Sequence, residues 1–222
     1  MTAFVALFLR DARLAVREGG ALGTALGFYL VVIAILPLGL GPDLNLLSRI
    51  AGGVLWIGLL LASLLSIDRL FARDLEDGSL DVLLTGDLPL ELVVMAKALA
   101  HCAVFSLPLV AFAPVLGLLL NFPPNGLGVL VGTMAIGAPA ISFIGAIGAA
   151  ITLPIGRGGL LLALLMLPFF VPILIFGVAT LEATVSGPGN PVTPALFLGA
   201  IALASIVLAP IAAAAALRLQ FR

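Results

Sequence analysis

Six apolar runs separated by short polar breaks constrain this chain more than any other feature. They cover about residues 21–40, 50–67, 98–120, 127–153, 159–180 and 195–217. A helix crossing a bilayer uses about 20 predominantly apolar residues, so each run is a candidate span. None shows the alternation over about ten residues that a lipid-facing strand requires, which excludes a membrane β-barrel. Charge agrees. Only 9% of the 222 residues are charged, against about 25% in an ordinary soluble domain. Ten basic and eleven acidic side chains cannot clothe a soluble fold of this size. The sequence therefore reads as an all-α polytopic membrane protein, a single transmembrane domain over residues 1–222. It leaves no room for a separate nucleotide-binding or catalytic domain.

Residues 2–18 are too short and too charged to span. Phe4, Leu7, Phe8 and Leu14 recur at near-helical spacing, while Arg10, Arg13 and Arg17 take other positions. This predicts an amphipathic helix in the membrane interface, its arginines toward lipid headgroups. A cleaved signal would carry its positive charges before the apolar stretch. Here they follow it, so the N-terminus is expected to be retained. With that end in the cytoplasm, Arg10, Arg13, Arg17, Arg69, Arg73, Lys97, Arg157, Arg218 and Arg222 all fall inside, and Arg49 alone falls outside. The excess of inside Lys and Arg predicts cytoplasmic termini. The outer loops, about 41–49, 121–126 and 181–194, are short, and the last is rich in Gly and Pro.

One polar segment stands out. Residues 68–97 hold seven of the eleven acids: Asp68, Asp74, Glu76, Asp77, Asp81, Asp87 and Glu91. Asp68 to Glu76 can prolong span two as a helix. Arg73 and Asp77 stand at i,i+4. Gly78 suits the left-handed residue that ends a helix. Ser79 is a natural N-cap for a short helix from Leu80 to Leu84, with Asp81 in its first turn. Pro89 suits the first turn of the helix that leads through Lys97 into span three. Leu80, Leu83 and Leu84 share one face. A plain link between spans needs only a few residues. A short helix held beneath a membrane bundle instead resembles the coupling helix by which an ABC permease seats in a separate ATPase. Arg69, Arg73, Asp74, Asp77, Gly78, Ser79, Leu80, Asp81, Leu83 and Leu84 are the candidate contacts.

Other chemistry is missing. The chain has no G-x-x-x-x-G-K-[ST] motif, and Lys97 is the only lysine, so it builds no P-loop. It has no G-x-S-x-G motif. One histidine and one cysteine cannot make a usual zinc site, and Cys102 has no partner for an internal disulfide. No catalytic residue or metal site is expected, and no basic tract invites nucleic acid. His101 is the one coordinating side chain. It lies one turn beyond Lys97 and offers two readings, a haem ligand or a histidine bonded at a helix interface. Met134 and Met166 read as filling. Gly19, Gly23 and Gly27, and Gly128 with Gly132, repeat every four residues. Ala138, Ser142, Ala146 and Ala150 continue a small-residue stripe. Such stripes suit close helix packing within one subunit or between two copies.

Together these strings resemble the CcmB (haem exporter protein B) family. The resemblance rests on Gly41-Pro42, Leu47, Arg49-Ile50-Ala51, Gly53 and Trp56. It continues through Arg69-Leu70-Phe71, Asp74, Asp77-Gly78-Ser79-Leu80, Leu88-Pro89-Leu90, Lys97 and Ala100-His101. It ends with Arg157-Gly158-Gly159, Leu167-Pro168, Pro172 and Leu217-Arg218. The sequence departs from the family pattern at Thr85-Gly86-Asp87 and at Cys102. The resemblance implies an ABC-2-type exporter permease-like fold with six spans in the bacterial inner membrane. It implies a non-catalytic subunit of the cytochrome c maturation complex, driven by a CcmA-like ATPase that binds the ATP. CcmC-like and CcmD-like membrane proteins, a CcmE-like haem chaperone and a second copy of the chain are the implied partners. Haem is the implied cargo. A permease for an unrelated small molecule and a non-transporting scaffold for haem-handling proteins are the competing readings.

Overall fold

The computed structural model describes residues 2–17, 20–41, 43–155, 158–185, 187 and 189–221. Gly19, Pro42, Arg157 and Arg222, each singled out above, lie outside the described residues. The described chain is helical, with no strand. An N-terminal helix α1 (Thr2–Arg17) precedes α2 (Gly20–Leu40) and α3 (Leu44–Ile67). The short helices α4 (Arg69–Glu76) and α5 (Ser79–Thr85) follow. Then come α6 (Leu90–His101), a π-helical segment (Cys102–Ser106) and α7 (Leu107–Leu119). The chain finishes with α8 (Leu127–Thr152), α9 (Gly158–Val185) and α10 (Val192–Gln220).

Six stretches are long and apolar enough to cross a membrane: Gly20–Leu40, Leu44–Glu76, Leu90–Leu119, Pro124–Ile155, Gly159–Val185 and Val192–Gln220. Each contains or closely overlaps one predicted run. The second and third extend well past their apolar parts, because Asp68 to Lys97 folds as helices that prolong the spans. Asp68, the one residue between α3 and α4, keeps right-handed helical angles. The fourth span runs unbroken through Pro139. The last outer loop is shorter than expected, since α9 continues to Val185. There the Thr180 and Thr184 hydroxyls donate to carbonyls one turn back, at 2.7 and 2.8 Å. That bonding satisfies two polar side chains within the helix and lets an apolar span carry them.

The spans pack around large side chains set against glycine. Trp56 of α3 is fully buried, and its ring fills the space left by Gly137 of α8 and Gly177 of α9. A Cβ at Gly137 would stand 2.6 Å from the indole. Tyr29 of α2 lies against Gly58 in the same way and donates its hydroxyl proton to the Leu55 carbonyl at 2.8 Å. These glycines were not the predicted ones. Around Gly23, Gly27, Gly128 and Gly132, an added Cβ would meet nothing within 4 Å. A four-residue repeat identifies a face that is smooth, not the partner that covers it. The Ala138, Ser142, Ala146 and Ala150 stripe is fully buried inside the bundle.

Helix α1 packs chiefly against α6. Leu7 is buried, and Phe4 and Phe8 pack on the core. The amphipathic reading holds, with one correction. Arg10 does not turn toward headgroups but inward, to Asp74. A buried carboxylate attracts it more strongly than an exposed headgroup would, because water screens the second and not the first. At the same end of the bundle, Arg218 of α10 forks onto Glu91 at 2.7 and 3.1 Å. Helix α1, the hairpin α4–α5, the start of α6 and the end of α10 therefore share one end.

Candidate functional site

The hairpin α4–α5 turns at Gly78, whose φ of +76° is the left-handed conformation that glycine adopts without strain. Ser79 is not the N-cap that its sequence position suggested. Gly78 occupies that position, and Ser79 is the first helical residue. Its backbone N–H is met by the Asp77 carboxylate at 2.8 Å. Its hydroxyl donates to Asp74 at 2.8 Å. Hydrogen bonding to Ser79 holds the Asp77 carboxyl below its usual range. The face predicted for the short helix points inward: Leu80 is buried, and Leu83 and Leu84 pack on the core. Val82 and Asp81 face out.

Asp74 is the centre of the hairpin's attachment. It is 2% exposed and Lys97 is 3% exposed, so neither charge is stable without a partner. Asp74 Oδ2 accepts from Lys97 Nζ, while Oδ1 accepts from Arg10 at 2.6 Å as well as from Ser79. Lys97 also donates to Asp11 at 2.8 Å and to the Leu70 carbonyl at 3.5 Å. An ammonium has three protons, and each has an acceptor here. Burial works against the Arg10 charge, but the hydrogen bond and field of Asp74 outweigh it and raise its pKa. The cluster ties α1, α4, α5 and α6 together.

One turn further along the third span, the partners become hydroxyls. His101 is buried between Ser66 of α3, 2.8 Å from Nε2, and Ser142 of α8, 3.0 Å from Nδ1. Ser66 donates its proton to the Ser63 carbonyl at 2.9 Å. Nε2 must then be the donor to Ser66, and Nδ1 the acceptor from Ser142. Ser106 closes the chain, 2.9 Å from Ser142. Between His101 and Ser106 the helix is π-wound, and Leu107 N–H reaches back five residues to the Cys102 carbonyl. The wide turn has a local cause. Pro108 has no N–H, and its ring would strike the carbonyl four residues before it in a regular α-helix. Ser142 joins both ends of the wide turn from across the bundle.

A cavity of about 960 Å³ connects the two clusters. Arg10, Asp74, Lys97, Ser66, His101 and Phe105 are among its lining residues. The structure thus gathers three of the ten predicted coupling residues, Arg69, Arg73 and Asp74, with His101 around one space. The other seven, Asp77, Gly78, Ser79, Leu80, Asp81, Leu83 and Leu84, do not line it. Asp11, Ser66 and Ser106 were not foreseen. The signal for Asp11 was present, since a buried lysine in so apolar a chain demands an acid.

The CcmB protein family model matches residues 2–220. The chain belongs to the CcmB family. Its similarity to individual members is spread over the whole length. Heme exporter protein B of Paracoccus denitrificans is 54% identical over 98% of this chain and 99% of its own. Heme exporter protein B of Haemophilus influenzae is 42% identical over 98% of each chain. The Escherichia coli strain K12 protein of the same name is 41% identical over 99% of each. As in the sequence reading, the CcmB strings around Asp74, Asp77-Gly78-Ser79-Leu80 and Lys97 fall together. Of these, Asp74, Ser79, Leu80 and Lys97 fasten the hairpin to the spans.

Proposed function

We propose that this chain is the membrane subunit of an ABC-type complex for cytochrome c maturation. It couples ATP hydrolysis by a separate CcmA-like ATPase to haem export, or to release of the haem-loaded chaperone in the periplasm. The observation that carries the reading is the hairpin α4–α5, in a chain with no phosphate-binding loop of its own. Its outer side offers Val82, Asp77 and Asp81 to a partner. Its inner side is fastened through Asp74 and Ser79 to Lys97 of the third span. Movement of the ATPase would press on the outer side and reach α6 through the ion cluster.

In this reading the residues proposed for ATPase contact divide into two groups. Asp77, Asp81 and the exposed Val82 meet the partner. Asp74, Gly78, Ser79, Leu80, Leu83 and Leu84 shape and hold the hairpin, with Arg69 and Arg73 on the neighbouring turn. His101 serves as a bridge between α3, α6 and α8, because both ring nitrogens already have hydroxyl partners. Haem is cargo. The ends of the chain lie in the cytoplasm of a bacterium and the spans in its inner membrane, as the distribution of Lys and Arg favours. CcmC-like and CcmD-like proteins, a CcmE-like chaperone and a second copy complete the assembly. The open Gly23, Gly27, Gly128 and Gly132 stripes are available for that second copy.

The test is co-purification with the ATPase. Changing Val82 to Glu and Asp77 and Asp81 to Lys should abolish ATPase capture while leaving membrane insertion intact. Undiminished capture would overturn the coupling role. A scaffold would support cytochrome c assembly when the ATPase cannot hydrolyse ATP, whereas a coupled subunit would not. A permease for an unrelated molecule would leave the haem-loaded chaperone unreleased on ATP turnover.

A further inference from the structure

A second cavity, of about 730 Å³, lies at the opposite end of the bundle from α1 and the hairpin. Asn45, Ser48 and Arg49 line it from the first turns of α3, and Leu181 and Glu182 from the last turns of α9. Phe122 adds an aromatic wall. Arg49 and Glu182 are its only charged lining residues among those described, and neither side chain makes an ion pair or hydrogen bond within the described chain. This contrasts with the other end, where Arg10, Lys97 and Arg218 all have carboxylate partners. Two opposite charges that share a cavity without pairing are complementary to a ligand bearing both signs.

Depth and wall chemistry narrow the ligand. Arg49 and Glu182 lie within two turns of the ends of α3 and α9, where apolar helix gives way to the headgroup layer. Pro123 and Val185, half-buried in the same lining, supply the apolar surface that an acyl chain would follow. We propose that this cavity binds the headgroup of a zwitterionic phospholipid from the leaflet away from α1. Arg49 takes the phosphate, for which a guanidinium offers paired donors. Glu182 takes the ammonium, and the Asn45 and Ser48 side chains can donate to the remaining phosphate oxygens. The site does not depend on what the complex exports.

The experiment uses the purified full chain in detergent, titrated with phosphatidylethanolamine or phosphatidylglycerol of matched acyl chains. Bound lipid is counted by native mass spectrometry, and the thermal midpoint is followed alongside. Phosphatidylethanolamine should be retained preferentially and should raise the midpoint more. Glu182→Gln should lose that preference, and Arg49→Gln should weaken retention of both lipids, each keeping the lipid-free midpoint. The exchanged pair Arg49→Glu with Glu182→Arg should regain it, with the headgroup reversed. Equal retention of phosphatidylglycerol by the unaltered chain would overturn the proposal. So would a preference that survives in Glu182→Gln.

Discussion

Lys97 and His101 stand one turn apart on the same helix, yet they are surrounded by different chemistry. Lys97 has two carboxylates and a carbonyl, all brought from elements near the end of the bundle. His101 has only hydroxyls, brought from α3 and α8 deeper within it. The difference follows from the cost of charge. An ion far from water is stable only with close counter-ions and complete hydrogen bonding. Near the end of the bundle α1 and α4 can deliver such counter-ions. Further in, every neighbour is a span, and a carboxylate there would have to be carried through the apolar layer. Serine costs less to carry, because its hydroxyl bonds to its own helix until a partner comes within reach. The ionic cluster is therefore strong and dependent on every member, while the hydroxyl cluster is weaker and adaptable.

The largest expected effect is at the ions. Lys97→Met leaves Asp74 and Asp11 without their ammonium, and should destabilise the chain by about 3–5 kcal/mol, the range for breaking a buried pair. Unfolding in detergent measures this. Adding Asp74→Leu should cost less than a second loss of that size, because coupled neighbours are not additive. A fully additive pair would break the claim that the cluster acts as one unit. In the hydroxyl cluster, Ser142→Ala removes the acceptor of Ser106 and the donor to His101, and should cost about 1–3 kcal/mol. A loss as large as that of Lys97→Met would erase the contrast between the clusters. Arg218→Gln breaks the exposed pair with Glu91, 48% and 32% exposed, and should cost about 0.2–1 kcal/mol. The same comparison sharpens in salt. Raising ionic strength should remove the Arg218 effect and leave the Lys97 effect almost unchanged.

Much of this architecture was legible in the apolar pattern. The six spans, the end of α4 at Gly78 and the inward face of α5 all follow from periodicity and turn chemistry, which act over a few residues. The pairing of Lys97 with Asp11 acts across 86 positions, and no local pattern carries it. Arg10 was misread for that reason. Its helix is amphipathic, and a headgroup is the default partner for an arginine on such a helix until a buried acid is known to lie beside it. Ser79 was read as a cap because serine usually caps, but Gly78 takes the capping position and the Ser79 hydroxyl donates to Asp74 instead. The glycines show the same limit. Periodicity found Gly23 and Gly27, which face open space. Gly137 and Gly177, which hold Trp56, carry no repeat and were invisible until the ring was seen between them.

The wide turn at Cys102–Ser106 has a mechanical consequence. A π turn stores one residue more than an α turn needs. Each residue of an α-helix advances the chain by about 1.5 Å and turns it by about 100°. Rewinding that turn as regular α-helix would therefore rotate the half of the span bearing Lys97 about 100° against the half beyond Pro108, with almost no lengthening. Pro108 bars that rewinding, so the third span carries the offset as a fixed feature, with Ser142 bonded to the residues on either side of it.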